Sequence, residues 1–255
     1  MPDIIKLFCF PYAGGSAAMF TQWKKYISPA IELVPVELAG RGRRLNEPLY
    51  PGMAEAIADC FDIVRTHLNP GDKYAFFGHS MGSMIIYYLA REISDSGFPP
   101  PLHLFFSGRK APHTRDAEDK KYHLMDDATF ENELIKLGGT PPEFFEIPEL
   151  MNILLPVLRS DFRLSESEPV MSDIIPFDMD ITVLLGKEED MTADQGDGWK
   201  RHTRKVCSIN YFPGGHFFLH DEIAALADVI NLTCSGLLKK NNSSSLCGAA
   251  HYMKP

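Results

Sequence analysis

Six apolar segments recur along the chain, and segments with helical periodicity lie between them, near 17–27, 53–68, 82–94 and 220–238. Several of the apolar segments are continuously apolar rather than alternating, which is typical of strands buried on both faces. Because strands alternate with helices, the pattern predicts a mostly parallel sheet with helices on both faces. The predicted strands are residues 4–10, 31–38, 74–77, 102–106, 181–185 and 206–212.

The connection between the fourth and fifth predicted strands is longer than a simple crossover, since a whole strand–helix–strand unit needs only about 30 residues. Within it, Asp126 or Asp127 can cap a helix that Gly138 and Gly139 end. A second helix, 149–158, is apolar on nearly every side, so it must bury two faces or cover an apolar hole.

We therefore predict an α/β core of residues 1–110 and 173–238 with a helical lid inserted at 111–172. The alternative is an ordinary subdomain with no gating role. The last residues, 239–255, have no hydrophobic period and are rich in small polar residues, which predicts a disordered tail.

Composition excludes several classes of function. The formal net charge of −9 argues against nucleic-acid binding. The five cysteines are scattered and show no C-x-x-C spacing, so we expect neither a disulfide framework nor a metal site. We find no signal peptide and no run of about 18 apolar residues, the length that spans a membrane. The chain is therefore predicted to be cytoplasmic and not to bind membranes.

The strongest motif is G-x-S-x-G at residues 78–82, directly after a predicted strand and before a helix. This is the context of a nucleophile elbow, a tight turn that holds a serine in a strained conformation at the top of an α/β-hydrolase sheet. Ser80 is therefore the predicted nucleophile. Gly78 and Gly82 are expected to be required because side chains there would collide with the flanking strand and helix. His79 is expected to pack against the site or support it.

A serine hydroxyl needs a base, and this fold orders its triad as serine, acid, histidine. His216 follows the last predicted strand in a Pro-Gly-Gly turn and precedes the final helix, so it is the predicted general base, with His220 as a weaker rival. The acid should follow the fifth strand, where Glu188, Glu189 and Asp190 are consecutive. These residues by themselves leave the choice of acid open.

An oxyanion hole needs backbone N–H donors. We predict the amides of Met81, which begins the helix after the serine, and of Ala13, in the glycine-rich loop 10–16 after the first strand. Glycine-rich loops after strands also bind phosphates. This loop lacks G-x-G-x-x-G and a Walker lysine, so an oxyanion role is favoured over a phosphate site.

Longer motifs carry a family resemblance from the first strand to about residue 230. The chain resembles the type II, or editing, thioesterases that accompany nonribosomal peptide and polyketide synthases. The resemblance implies hydrolysis of acyl groups from the phosphopantetheine thiol of carrier proteins, clearing misprimed or stalled intermediates, with no metal and no dissociable cofactor. The motifs are FCFPYAGGSA at 8–17, VELAGRGRRLNEP at 36–48, FFGHSMGSM at 76–84, LGGTPPE at 137–143, LLPVLRSDFRL at 154–164 and FPGGHFFL at 212–219.

Ser80 and His216 match the family motifs without adjustment. The family usually shows Gly-x-x-Asp after the fifth strand. That position is Glu189 here, and the aspartate follows one residue later, as Asp190. Because a one-residue slip in a loop is easier than fitting a longer acid into fixed geometry, we predict Asp190 as the triad acid, with Glu189 next.

Two other functions stay open: a medium-chain fatty-acyl thioesterase of a fatty acid synthase, and a non-catalytic carrier-binding protein. The complete set of serine, histidine and acid disfavours the second. The expected partners are acyl or peptidyl carrier domains, and we expect a monomer. Arg41, Arg43 and Arg44 follow the second strand. They either meet the carrier or its phosphate, or pair with acids of the core and shape their loop.

Overall fold

The computed structural model describes residues 3–114, 120–139, 142–167 and 173–249. These residues form one six-stranded sheet in the order β2-β1-β3-β4-β5-β6, with every neighbouring pair parallel. The predicted α/β class with a parallel sheet is confirmed. The strands are β1 (Ile5–Phe10), β2 (Ile31–Pro35), β3 (Lys73–His79), β4 (Leu104–Ser107), β5 (Ile181–Gly186) and β6 (Cys207–Phe212).

All six predicted strands are present. Their burial explains why some of the predicted strands are continuously apolar and others are not. Every residue of β5 is buried, as are all but the first of β3, because both strands have neighbours on each side and helices on each face. The edge strands β2 and β6 are only partly buried. The third strand is longer than predicted and runs to His79, so it leads directly into the G-x-S-x-G turn.

Helices cover both faces of the sheet over two apolar cores. Successive side chains of a strand point to opposite faces, so Phe76 lies in one core and Phe77 in the other. The first core lies under α1 (Met53–His67) and α2 (Met81–Ser96). The second lies under the 3₁₀ helix Ala17–Lys25 and the last helix, α7. The remaining core helices are α5 (Ala193–Asp197), α6 (Phe218–Asp221) and α7 (Ile223–Ala249).

Between β4 and β5 the described residues form a helical insertion. Its main helices are α3 (Asp127–Leu137) and α4 (Pro148–Ser167), with short 3₁₀ helices at Pro112–Thr114, Tyr122–Leu124 and Pro142–Glu146. Asp126, one of the two predicted caps, accepts a hydrogen bond from the amide of Thr129. Residues 115–119, 140–141 and 168–172 of the predicted lid lie outside the described residues.

The second insertion helix is twice as long as predicted, because the apolar pattern stops at 158 whereas the helix continues to Ser167. The helix contacts the core helix α2, and its Leu164 belongs to the first apolar core. A small core of buried Phe130, Leu134 and Leu158 joins α3 to α4. The insertion is therefore packed both on itself and on the sheet domain.

The last helix also extends beyond the predicted end. It reaches Ala249, so residues 239–249 are helical where the composition predicted a disordered tail from 239. No proline occurs between Leu237 and Ala249, and no glycine before Gly248, so the sequence offers no earlier stop signal. The end of that predicted tail, 250–255, is outside the described residues. No helix in the described ranges is long and apolar enough to cross a membrane.

Candidate active site

The turn between β3 and α2 holds Ser80 at the carboxyl end of a central strand. Ser80 has φ 53° and ψ −109°, and it is the only non-glycine residue with positive φ in the described part of the chain. Such a conformation is strained for an L-residue and is found where the surrounding structure imposes it. Here the Ser80 amide donates to the Ser107 carbonyl at 2.8 Å. The neighbouring strand thus fixes the strained turn.

The two motif glycines are required for the reason that the sequence suggested. A Cβ atom at Gly78 would lie 2.2 Å from the carbonyl oxygen of Gly82. A Cβ atom at Gly82 would lie 2.3 Å from the carbonyl oxygen of Phe10, at the end of β1. Both obstacles are backbone atoms, which cannot rotate away. The elbow therefore depends on contact between strand and helix backbones.

His216 lies in the loop between β6 and α6, and its side chain is 37% exposed. It lines the same cavity as Ser80. The loop is held against the end of β5, since the Glu188 amide donates to the Gly214 carbonyl at 3.0 Å. A Cβ atom at Gly186 would lie 2.6 Å from that carbonyl. This close approach brings the loop that follows β5 beside the loop that carries His216.

Glu189 is the acid that the structure brings to His216. Its Oε1 atom lies 3.7 Å from Nδ1 of His216, and its side chain is only 5% exposed. Asp190, the predicted acid, is exposed and makes no recorded contact with the imidazole. In this geometry the acid beside the imidazole is Glu189 and not the predicted Asp190, because the Glu188 backbone is tied to the neighbouring loop and the next side chain along turns inward. Glu189 also occupies the position at which the family usually shows aspartate.

The contact between Glu189 and His216 is longer than a hydrogen bond, for which about 2.7–3.2 Å is normal. Oε1 of Glu189 is buried and has no hydrogen-bond partner among the described residues. Catalytic hydrogen bonds are often long in ligand-free structures and shorten when the site is occupied. The unpartnered carboxylate oxygen faces the one ring nitrogen that can satisfy it.

The two backbone amides predicted to form an oxyanion hole are available. In loop 10–16, the amides of Gly14 and Gly15 already donate to protein acceptors. Within the described ranges, the amides of Ala13 and Met81 donate to none. Met81 begins α2, so its N–H belongs to the helix N-terminus that favours negative charge. Ala13 lines the cavity together with Ser80.

Two further histidines, His79 and His220, lie near Ser80 and His216 but make their own hydrogen bonds. His79 is fully buried, its Nδ1 lies 2.8 Å from Oγ of Ser107, and its ring centroid lies 5.1 Å from that of His216. Burial, and next the proximity of His216, hold the pKa of His79 well below its usual value, so it stays neutral. His220 lies 3.0 Å from the Tyr12 hydroxyl, and burial lowers its pKa too.

The cavity at Ser80 has a volume of about 120 Å³. One wall comes from the sheet domain and the other from the insertion. The α4 residues of that wall, Leu158, Phe162 and Ser165, are four and three residues apart, so they share one helix face. No group of three metal-ligating side chains occurs in the described ranges. The lining residues are Tyr12, Ala13, Ser80, Tyr122, Leu134, Leu137, Gly138, Gly139, Leu158, Phe162, Ser165, His216 and Phe217.

The three arginines after β2 have different environments. Arg41 is buried and pairs with Asp161 of α4. Arg44 pairs with Asp59 of α1. This arginine therefore pairs with an acid of the core and shapes its loop, which is one of the two roles expected from the sequence. Arg43 is exposed, and its side chain has no recorded partner in the described part of the chain.

The sequence analysis assigns no role to Asp161, because the predicted helix ends at 158. Its signal in the sequence is an acid three residues after a strongly apolar helical stretch. The structure shows that this acid is almost completely buried.

A strained serine at a nucleophile elbow, with a histidine and an acid on the following strand ends, defines an α/β-hydrolase-type serine hydrolase. Residues 5–234 match the model of the Thioesterase domain family. The chain therefore belongs to the thioesterase domain family, and it is a hydrolase that acts on thioesters.

Individual relatives agree with this assignment. The chain is 37% identical over 220 residues to the gramicidin S biosynthesis protein GrsT of Aneurinibacillus migulanus, covering 85% of this chain and 84% of that protein. It is 34% identical over 230 residues to the medium-chain S-acyl fatty acid synthase thioesterase of Rattus norvegicus, covering 86% and 83%. The crystal structure of ClbQ from the colibactin NRPS/PKS pathway matches with a TM-score of 0.85 at 35% identity, covering 92% of this chain and 98% of ClbQ.

Proposed function

We propose that the protein removes acyl groups from the phosphopantetheine thiol of carrier domains in a nonribosomal peptide or polyketide pathway, and so clears misprimed or stalled intermediates. The observation that carries the proposal is the cavity shared by Ser80 and His216. GrsT and ClbQ are both similar over most of the chain; GrsT is named for gramicidin S biosynthesis, and ClbQ comes from the colibactin NRPS/PKS pathway. A single acyl or peptidyl carrier domain would be the partner of one monomer.

In the proposed mechanism, Ser80 Oγ attacks the thioester carbonyl while His216 accepts the hydroxyl proton. The carbonyl electrons move to the oxygen, which the amides of Ala13 and Met81 stabilise. The tetrahedral intermediate then expels the thiol, which takes the proton from His216, and an acyl-serine remains. Water, deprotonated by His216, attacks the acyl-serine by the same route and releases the free acid and Ser80.

Glu189 would orient His216 and stabilise its protonated form. A buried carboxylate without a partner is costly. When Nε2 of His216 acts as the base, Nδ1 carries the hydrogen that faces Oε1 of Glu189. Protonation of the imidazole makes this donor charged, so its attraction to the carboxylate is strongest when positive charge develops on His216.

The insertion would act as a lid over the acyl group. The cavity of about 120 Å³ is small beside the roughly 300–1,000 Å³ of sites that hold drug-sized ligands. It suits a short acyl group, and a longer chain would require the insertion to move. The lining contributed by Leu134, Leu158 and Phe162 matches an apolar acyl chain.

The second candidate is a medium-chain thioesterase of a fatty acid synthase, which the similarity to the rat enzyme favours. The small cavity favours the editing function over this one. For docking, only Arg43 of the three arginines keeps an exposed side chain that an acidic carrier could meet.

The test compares native protein with Ser80→Ala on carrier domains loaded with acetyl or octanoyl groups. Native protein should hydrolyse the acetyl carrier faster, and Ser80→Ala should lose at least about a thousandfold in rate, because the nucleophile is gone. A fluorophosphonate should label native protein and Ser165→Ala, which changes another serine of the same cavity, but not Ser80→Ala. Labelling that survives Ser80→Ala would exclude the mechanism, and faster octanoyl hydrolysis would favour the second candidate.

A further inference from the structure

Arg41 and Asp161 form a buried ion pair between the sheet domain and α4. Nη1 of Arg41 lies 2.5 Å from Oδ2 of Asp161, and Nη2 lies 2.7 Å from Oδ1. The side chains are 6% and 1% exposed. This two-pronged geometry is the strongest arrangement of an arginine with a carboxylate, and it fixes orientation as well as distance.

Both partners also bind loop 10–16. Oδ2 of Asp161 accepts a hydrogen bond from the Gly14 amide at 2.8 Å, and Nη1 of Arg41 donates to the Gly15 carbonyl at 3.2 Å. Leu158, one turn earlier on α4, closes on the same loop, since a Cβ atom at Gly14 would lie 2.5 Å from its Cδ2 atom. The peptides that follow Ala13 are thus held from two sides.

A buried ion pair is weak support for stability, because taking two charges out of water costs about as much as their attraction returns. Here the pair also engages the backbone of an active-site loop. Gly14 has φ +78°, so the loop follows a path that few residues can adopt. The two charged side chains therefore fix the geometry of the loop. The adjoining Ala13 amide has no protein acceptor among the described residues.

We propose that Arg41 and Asp161 are positioning residues that hold the Ala13 amide in place for the oxyanion, and that they make α4 a fixed part of this site. The inference rests on the proposed function, in which Ala13 is an oxyanion donor.

The test is Asp161→Asn, assayed with an acetyl thioester of a small thiol that needs no carrier. We expect kcat to fall about tenfold or more with KM within twofold, since complete removal of one oxyanion donor costs about 10²–10³ in kcat. An alkyl boronic acid, which binds serine as a tetrahedral adduct, should lose affinity by a similar factor. The matched control is Asp59→Asn, which weakens the other arginine–aspartate pair of this region, Arg44–Asp59. It should lower the melting temperature and leave both readouts unchanged.

A lowered melting temperature with native kcat and native boronate affinity would overturn the inference. If Asp161→Asn does not fold, the double variant Arg41→Met/Asp161→Leu removes both charges together, an exchange that often preserves stability. The kcat and the boronic acid affinity of the double variant then test the inference. The proposed function fails separately, if Ser80→Ala keeps its activity.

Discussion

The nucleophile elbow and the acid loop lie at the carboxyl ends of two strands of one sheet, yet they are built differently. The elbow, 78–82, is fixed by backbone contacts at both glycines and by a strained serine. The acid loop, 186–190, carries three consecutive acids, two of which, Glu188 and Asp190, are exposed. In the elbow, a side chain at either glycine would collide with backbone atoms. In the loop, the identity of the functional residue depends on which side chain turns inward.

Local steric constraint and functional importance are therefore separate properties of these two segments. The elbow motif is specific because its geometry permits only glycine at two positions. The acid loop has no such requirement beyond Gly186, which packs on the carbonyls of the histidine loop. The local sequence of the acid loop therefore does not indicate which of its three acids faces the histidine.

The largest effect should come from the acid loop. Glu189→Gln should lower kcat by about a thousandfold or more, because the amide cannot stabilise the imidazolium or select its tautomer. Asp190→Asn is the matched control, an exposed acid one residue away, and should stay within twofold of native. Steady-state hydrolysis of a small acyl thioester measures both. If Asp190→Asn is the damaging change, the acid is Asp190 as the sequence first suggested.

A smaller loss is expected from crowding the elbow. Gly82→Ala places a methyl group 2.3 Å from the Phe10 carbonyl oxygen, so the turn must shift. We expect the shift to lower the free energy of unfolding by about 1–3 kcal/mol. We also expect hydrolysis to slow by about a hundredfold, because misplacing a reacting group by about 1 Å costs that much in rate. Gly236→Ala in α7 is the control, because a Cβ atom there meets nothing within 4 Å. Thermal unfolding and hydrolysis report both effects. Native activity in Gly82→Ala would show that the elbow is less constrained than its contacts indicate.

The smallest effect tests the length of the acid. Glu189→Asp keeps the charge but withdraws the carboxylate by about one methylene, so we expect a loss of about tenfold, well short of that in Glu189→Gln. Steady-state hydrolysis of the same small acyl thioester measures the loss. An activity equal to or above native would mean that the loop adapts, and that residue identity at 189 matters less than its position.

Much of the fold could be predicted because it rests on repeated local signals. Several strands are continuous apolar runs, and the G-x-S-x-G turn carries its own steric requirement in Gly78 and Gly82. His216 follows the last strand in a glycine turn, and the structure places it in the cavity that Ser80 also lines. Helix ends were less predictable: α4 continues nine residues beyond 158, because packing on the sheet domain supports residues that the apolar pattern does not mark.

The parallel α/β class, the nucleophile elbow at Ser80 and the loop position of His216 can be inferred from the sequence alone, since each depends on residues adjacent in the chain. The folded structure is needed to see which acid lies beside His216, because Glu189 and Asp190 both follow Gly186 within four residues and their placement depends on how that loop packs against Gly214. It also revealed Asp161, which lies 120 residues from Arg41. A pair so far apart leaves no local pattern, and only the folded chain brings its charges together.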